Sequence, residues 1–412
     1  MTDRVGQVLR EKRIGPGLAS LWLLIAVSSF VFIEPAPYDI IAVVLCVTFF
    51  TLGLKVPSRL GLPLLLMALF VVANILSILF AKPSLEQPAA YLAFYAGLTV
   101  YLIVTWVFFT SLVAANPRRV PELIWSGYLV AAIIAVALGL AGYFRLVPAT
   151  DLLMEHGRAR STFKDPNVFA SFLIPVALYL LAAMGTPGWG KRLIRIGLFL
   201  VIIIGLLLGF SRGAWGNFAV SLGVFVVLSL ATAGTLQRYL NFMSAGSLIA
   251  LVTVVAIIGA VSMPQINEMF VKRAALLQPY DVEVGGRFST QRAALQTILE
   301  VPIGIGPNRT QIELGRVPHN VYLKVAAENG WLGGITFTAF TLLTVWRGFW
   351  FCLARGPHQR MAIVVYASIF GIVVQGLLID TLHWRHFFLL LGMLWGVILA
   401  DNKRVMPATG SR

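Results

Sequence analysis

Apolar runs of about 17 to 25 residues recur along nearly the whole chain, separated by short polar connections. A helix rises about 1.5 Å per residue, so each run reaches across a hydrocarbon core roughly 30 Å thick. Composition closes the soluble alternative. With 58% hydrophobic and 12% charged residues over 412 positions, too little polar side chain is available to coat water-soluble domains. The pattern predicts an all-α polytopic membrane protein, with residues 1–412 forming a single integral membrane domain.

Twelve helices are predicted to cross, at 17–33, 38–54, 60–81, 88–114, 120–146, 167–185, 193–209, 213–233, 244–263, 326–353, 361–379 and 384–400. The first run follows Arg4, Arg10, Lys12 and Arg13 as a signal sequence would, but no small-x-small cleavage site follows, so it reads as a retained helix. An even number of crossings puts both termini on one side. If that side is cytoplasmic, its segments carry 18 Lys and Arg against four acids, and the far side carries 14 against 13. The formal charge of +15 is then almost entirely the positive-inside bias of short connections, which removes nucleic acid as the reason for it. Cys46 and Cys352 both lie inside apolar runs, where a disulfide framework or cysteine-based zinc site has no material.

Two connections on the far side are long, 147–166 and 264–325, and loops of that length are commonly functional. Ile266, Phe270, Ala274 and Leu277 recur at helical spacing behind Pro264, which predicts an amphipathic helix at the membrane surface. A second short helix is predicted from Ser289 to Glu300, with Leu295, Ile298 and Leu299 on its apolar face and Pro302 ending it. Residues 303–318 read as turns, including Gly304-Ile305-Gly306, which follows no strand and is too short for a nucleotide fingerprint.

The positive-inside bias does not account for basic residues on the far side. Arg158 and Arg160 lie in GRARSTFKDPN, Arg212 in the tight GFSRG turn, and Arg287 behind Gly285-Gly286. Guanidinium forks stay charged and take phosphate oxygens two at a time, which makes these four the candidate diphosphate binders. Snorkelling to lipid headgroups, or pairing with Asp151, Glu155, Asp281 or Glu283, is the competing explanation. His319, in PHNVYLKVAAENGWLGG, is the candidate general base, because a neutral imidazole accepts a hydroxyl proton near pH 7. The plainer reading of Pro318-His319-Asn320 is a helix cap. Asp380 and His383, with Arg385 and His386, form a further cluster in the last external turn. Asn320, Asp380 and His383 are supporting candidates. Metal ligation is poorly served: no HExxH or DxD occurs, and Asp281-Val282-Glu283 and the pair Glu34 and Asp39 are the only acidic groupings that invite a cation.

Taken in order, GFSRGAWG, GGRFSTQRAALQTILEVPIGIGPN and PHNVYLKVAAENGWLGG resemble the shared core of the bacterial O-antigen ligase and polymerase family. RARSTFKDPNVFASF upstream is similar to that family's Arg-x-x-Gly-x-Phe-x-x-Pro-Asn-x-Phe-Ala segment, with Ser161 where the family usually has Gly and Arg158 matching its Arg by spacing. Gln291-Arg292 replaces a usual aromatic at the start of the Ala-Leu helix. The resemblance covers about residues 158–334. It implies a GT-C-like membrane glycosyltransferase in the bacterial inner membrane, with its active site facing the periplasm and no cofactor or metal. Its implied partners are an undecaprenyl-diphosphate-linked O-antigen donor, a lipid A core oligosaccharide acceptor and membrane lipids, with His319 and Arg287 catalytic and Arg158, Arg160, Arg212 and Arg287 on the diphosphate.

Three alternatives stay open at this point. An O-antigen polymerase would join the donor to another lipid-linked repeat, and a protein O-oligosaccharyltransferase would glycosylate Ser or Thr. A lipid-linked glycan transporter would place charges at the membrane midplane and break its helices in paired halves, whereas most runs here are free of central charge.

Overall fold

The computed structural model describes residues 15–82, 88–148, 150–185, 188–235, 239, 246–247, 251, 253–255, 257–274 and 286–401. Its first half contains α1 (Pro16–Ala26), α2 (Pro37–Thr51), α3 (Gly61–Phe80), α4 (Ala89–Ala115) and α5 (Arg119–Tyr143). A single turn α6 (Thr150–Leu153) and a two-stranded antiparallel hairpin, β1 (Met154–Glu155) and β2 (Arg158–Ala159), lead to α7 (Pro166–Ala183). There follow α8 (Trp189–Leu208), α9 (Arg212–Ala231), α10 (Pro264–Ala274), α11 (Arg287–Glu300), a single turn α12 (Thr310–Glu313), α13 (Val321–Leu353), α14 (Gln359–Gln375) and α15 (Arg385–Ala400).

Six of the helices are long and apolar enough to cross a membrane: α3 with its 3-10 lead-in, α4, α5, α7, α9 and α13. A seventh is added if Thr253–Val261 and Pro264–Arg273, bent by 103°, form one span. Helices α1, α2, α14 and α15 are apolar but shorter. Every predicted run except 244–263 coincides with a helix, and that run lies largely outside the described residues. Large side chains such as Val44, Val47, Leu65, Leu79, Phe80, Leu342 and Trp346 point outward and exposed. A soluble surface does not tolerate such a band, whereas lipid does.

Glycines set the closest helix contacts, as is usual where lipid supplies no hydrophobic drive between helices. A Cβ on Gly392 of α15 would stand 2.5 Å from that of Phe109 on α4, and one on Gly396 2.5 Å from that of Val113. Gly371 of α14 leaves room for Asn217 and Ser221 of α9. Further into the bundle those side chains join a buried polar chain: Ser221 donates to Asn217 (2.9 Å), while Asn217 (2.6 Å) and Ser171 (3.0 Å) both donate to Oε1 of Gln375.

Three boundaries depart from the sequence reading. Helix α1 stops at Ala26 rather than running to 33, because the chain turns away to bond the connection before α7: Val31 N donates to Thr162 O (3.0 Å) and the Thr162 hydroxyl to Ser29 O (2.7 Å). Helix α11 starts at Arg287 rather than Ser289, with Thr290 and Ala294 buried and Leu295 and Leu299 exposed, so the small face is the inward one. Helix α13 starts at Val321 rather than 326 and breaks at Gly330, whose φ of 66° is left-handed.

The break explains the Pro-x-Gly-x-Gly segment. Interrupting a helix orphans backbone groups that must be satisfied when buried. Here Trp331 N donates to Pro302 O (2.9 Å), Ile305 N to Ala327 O (3.0 Å) and Gly306 N to Glu328 O (2.9 Å). Gly304 and Gly330 face one another so closely that a Cβ on either would collide with the other segment's backbone. The turn therefore acts as a plug in the broken helix. It fixes the loop around Asn308, Arg309 and Thr310 against α13.

Candidate functional site

One end of the bundle gathers the N-termini of α2, α7, α9, α13 and α15, joined by bonds from Asp39 to Arg385 and from Val321 N to Gly376 O (2.8 Å). Helix N-termini present unsatisfied N–H groups and the positive end of the dipole, a setting that favours anions. Basic residues at the opposite end do something different: Arg195 donates to Ala183 O (2.8 Å) and Arg192 to Met184 O (3.3 Å), closing the end of α7.

Asp165 caps α7 by accepting from Asn167 N (2.5 Å), and Ser211 caps α9 by accepting from Ala214 N (3.1 Å). Asn167 ties these two helix starts together, its Oδ1 accepting from the Ser211 hydroxyl (2.6 Å) and from Arg158 Nη2 (2.9 Å). Arg158 Nε donates to Gly209 O (2.9 Å). Arg158 is thus brought beside Arg212, the first residue of α9, although 54 positions of chain separate them. Arg160 turns back instead, its Nε donating to Leu152 O at 3.3 Å, and the geometry does not bring it to Asn167.

Ser161 gives this arrangement a conformational origin. It sits at φ 53°, where glycine is at ease, and its hydroxyl donates to Ala135 O (2.7 Å). Phe210 (φ 42°), His319 (φ 49°) and Asn308 (φ 58°) are also left-handed, and this costs energy for non-glycine residues. Arg145 (φ 55°) and His156 (φ 49°) share this conformation, and Asn308 follows the plugging turn.

Asn320 is the α13 cap, its Oδ1 accepting from Tyr322 N (3.0 Å) and Leu323 N (3.1 Å). The cap role falls to Asn320, which leaves His319 half-buried in front of the helix. Burial pushes the His319 imidazole below its ordinary pKa, Arg287 and Arg316 push it the same way, and Asp165 and Asp380 oppose them. Arg287 from α11, Asp165 from the start of α7 and Asp380 from the last connection thus all act electrostatically on this ring. The ring is neutral at pH 7 and able to accept a proton.

Asp380 is held from both sides. Lys324 Nζ lies 2.6 Å from its Oδ2, and Leu382 N donates to Oδ1 (3.0 Å). Burial pushes the Asp380 carboxyl up, but Lys324 outweighs it and the pKa lies below the usual range. Lys324 also approaches Glu328 (3.9 Å), which accepts from the Thr310 hydroxyl (2.7 Å). Lys324, Glu328 and Arg309 went unread in the sequence, because one Lys and one Glu a turn apart on an apolar helix look like a surface pair. Their burial comes from the plugged break, which sequence patterning does not announce. His383 faces α4 rather than His319, with Nε2 3.2 Å from the Thr99 hydroxyl and burial pushing its pKa down to about 4.

Glu34 and Asp39 hold side-chain cations. Arg385 grips Asp39 with two bonds (2.6 and 2.7 Å) and Lys164 lies 2.7 Å from Glu34, so both carboxylates of this pair meet cationic side chains. Asp281 and Glu283 lie outside the described residues. Among the described residues no three of His, Cys, Asp and Glu gather as a metal site requires.

Two cavities open at this end. One of about 170 Å³ lies over Glu34, Lys164, His383 and Arg385. The other, of about 1170 Å³, lies between the hairpin and α10. Neither is lined by Arg158, Arg212, Arg287 or His319.

A family model described as O-Antigen ligase matches residues 197–338. Residues 197–338 are similar to that family. Members of that family are glycosyltransferase-like enzymes. No curated protein matches the chain closely enough to count as a relative. The O-antigen ligase match takes in Arg212, Arg287, Lys324, Glu328 and His319, and it leaves Arg158 and Asp380 to the flanking segments that fold onto it.

Proposed function

We propose that the chain is an O-antigen ligase, transferring a glycan from undecaprenyl diphosphate to a sugar hydroxyl of the lipid A core. What supports this reading is the O-antigen ligase match over residues 197–338, which takes in Arg212, Arg287 and His319, together with the left-handed placement of His319 in front of the Asn320-capped start of α13. Arg158, Arg212 and Arg287 bind the diphosphate. Their charge stabilises the negative charge that grows on the leaving group as the glycosidic bond breaks, a role in which one well-placed donor is worth about 10² to 10³ in turnover. His319 takes the acceptor hydroxyl proton as that oxygen attacks the anomeric carbon from the opposite face, which inverts it. Asp380, fixed by Lys324, supports the imidazolium that results. No step requires a metal.

The reading also orients the protein. The end rich in basic residues and poor in acids faces the cytoplasm with both termini, and the end carrying His319 faces the periplasm of the inner membrane.

Purified protein supplied with lipid-linked donor and lipid A core tests the proposal. Wild type is expected to form product with chelator present, and Arg287→Ala and His319→Ala are expected to form none. Full activity in either variant removes that residue from the mechanism. Product that extends the lipid-linked donor, leaving the core bare, makes the chain a polymerase instead.

A further inference from the structure

The 1170 Å³ cavity exceeds the roughly 300–1,000 Å³ of small-ligand pockets, and no step of the proposed reaction uses it. One wall is the turn after α5 together with the hairpin, bringing Tyr143, Phe144, Arg145, Asp151 and His156. The other is α10, bringing Gln265 and Glu268. Helix α10 is seated by its apolar face: Ile266 is buried, Phe270 packs on Trp215 of α9 with ring centres 5.5 Å apart, and Met269 reaches Gly157 of the hairpin. Gln265 and Glu268 border the cavity beside Met269, and Met154 of the hairpin adds a second thioether to the lining.

The lining selects a class of ligand by exclusion. Asp151 and Glu268 outweigh Arg145, so the cavity offers no positive surplus for a diphosphate. Carboxylate, amide, imidazole and guanidinium groups together are wrong for a lipid chain, which wants an unbroken apolar wall. Mixed donors and acceptors beside two aromatic side chains suit a neutral molecule with many hydroxyls and apolar ring faces. Gly157 of the lining directly precedes Arg158, so the hairpin belongs both to the cavity wall and to the segment that carries a proposed diphosphate ligand.

We infer that this groove binds the glycan portion of a lipid-linked substrate, an inference that rests on the glycosyltransferase reading and adds to it a site for sugar apart from the diphosphate. Two soluble probes separate its sources. The first is the O-antigen oligosaccharide freed from its diphosphate lipid by mild acid. The second is the core oligosaccharide freed by mild acid from lipopolysaccharide lacking O-antigen. Binding to the full chain in nanodiscs is followed by saturation-transfer NMR and calorimetry. One probe or the other is expected to bind, identifying donor glycan or acceptor core. The double variant D151N/E268Q is expected to weaken it at least tenfold, and Q265W, which fills the groove from α10 without removing a charge, is expected to do the same. Arg212→Ala is expected to leave probe binding unchanged. Failure of both probes to bind wild type, or wild-type binding by D151N/E268Q and Q265W at an unchanged melting temperature, overturns the inference. If transfer is never observed but the groove variants lose the probe, the catalytic reading fails and the glycan site stands. Transfer with unaltered probe binding in the groove variants leaves the catalytic reading standing and removes the glycan site.

Discussion

Two groups of cationic side chains share one end of the bundle and are held in opposite ways. Arg385 lies against the carboxylate of Asp39 with two bonds and comes within 3.8 Å of Glu34, which is itself 2.7 Å from Lys164. Arg158 directs two of its bonds to neutral oxygens, the Gly209 carbonyl and the Asn167 amide. The first group is closed: charge meets charge, and α2, α15 and the connection before α7 are locked together. The second is open only in the sense that these two bonds aim Arg158 with neutral oxygens. Position alone therefore does not identify a functional arginine at this membrane end. The chemistry of the groups that orient it is the better guide.

The largest expected effect tests the closed group. Arg385→Met leaves the mostly buried Asp39 carboxylate without its partner, and breaking such a pair costs about 3–5 kcal/mol. A large fall in melting temperature in detergent is expected, with activity lost only as folded protein is lost. Combining it with Asp39→Leu removes the orphaned charge and is expected to restore most of the stability. If Arg385→Met melts like wild type but is inactive, the two groups do not differ as described.

The second effect belongs to the open group. Arg212→Ala and Arg158→Ala are expected to lower turnover with a lipid-diphosphate donor on the order of 10² to 10³. Arg212→Lys keeps the charge but not the two-pronged geometry, and it is expected to fall between wild type and Arg212→Ala. The melting temperature of Arg212→Ala should stay close to wild type. A collapse in its stability with normal turnover per folded molecule would move Arg212 into the closed group.

The pH dependence of kcat/KM sharpens the same contrast through His319. Burial and Arg287 hold its pKa below the ordinary value of 6.5, so the acid limb of the profile is expected below that pH. Activity is present where the imidazole is neutral and is lost as pH falls through the lowered pKa. Asp380→Asn removes a neighbour that favours the charged ring and moves the limb further down. Arg316→Gln removes one that disfavours it and moves the limb up. A limb that ignores both substitutions means that another group is the base.

How far these features were legible depended on their range along the chain. Helix positions came through because apolar runs are local; Arg212 stood out in a tight turn, and His319 and Arg287 in a long connection on the far side. Arg158 was separable from Arg160 only in three dimensions, where Asn167 chooses between them. Lys324 and Glu328 were invisible because their burial depends on Pro302 to Gly306 filling a break at Gly330 some 24 residues further on in the chain. The direction in which the leucine face of α11 points depends likewise on what surrounds the helix. At a lipid boundary the apolar face turns outward, and the small residues Thr290 and Ala294 face the protein.

The smallest effect is expected at Asn320, the residue that separates capping from catalysis. Its side chain accepts two backbone N–H groups at the start of α13. Replacing such a cap with Ala costs about 0.5–2 kcal/mol, whereas Asp caps about as well as Asn. Asn320→Asp is therefore expected to melt like wild type and Asn320→Ala a few degrees lower. Because the cap anchors the residue that follows His319 in its left-handed turn, turnover should fall modestly in Asn320→Ala and little in Asn320→Asp. Equal and severe loss of turnover in both, with melting unchanged, would mean that the Asn320 amide touches substrate and belongs with the open group.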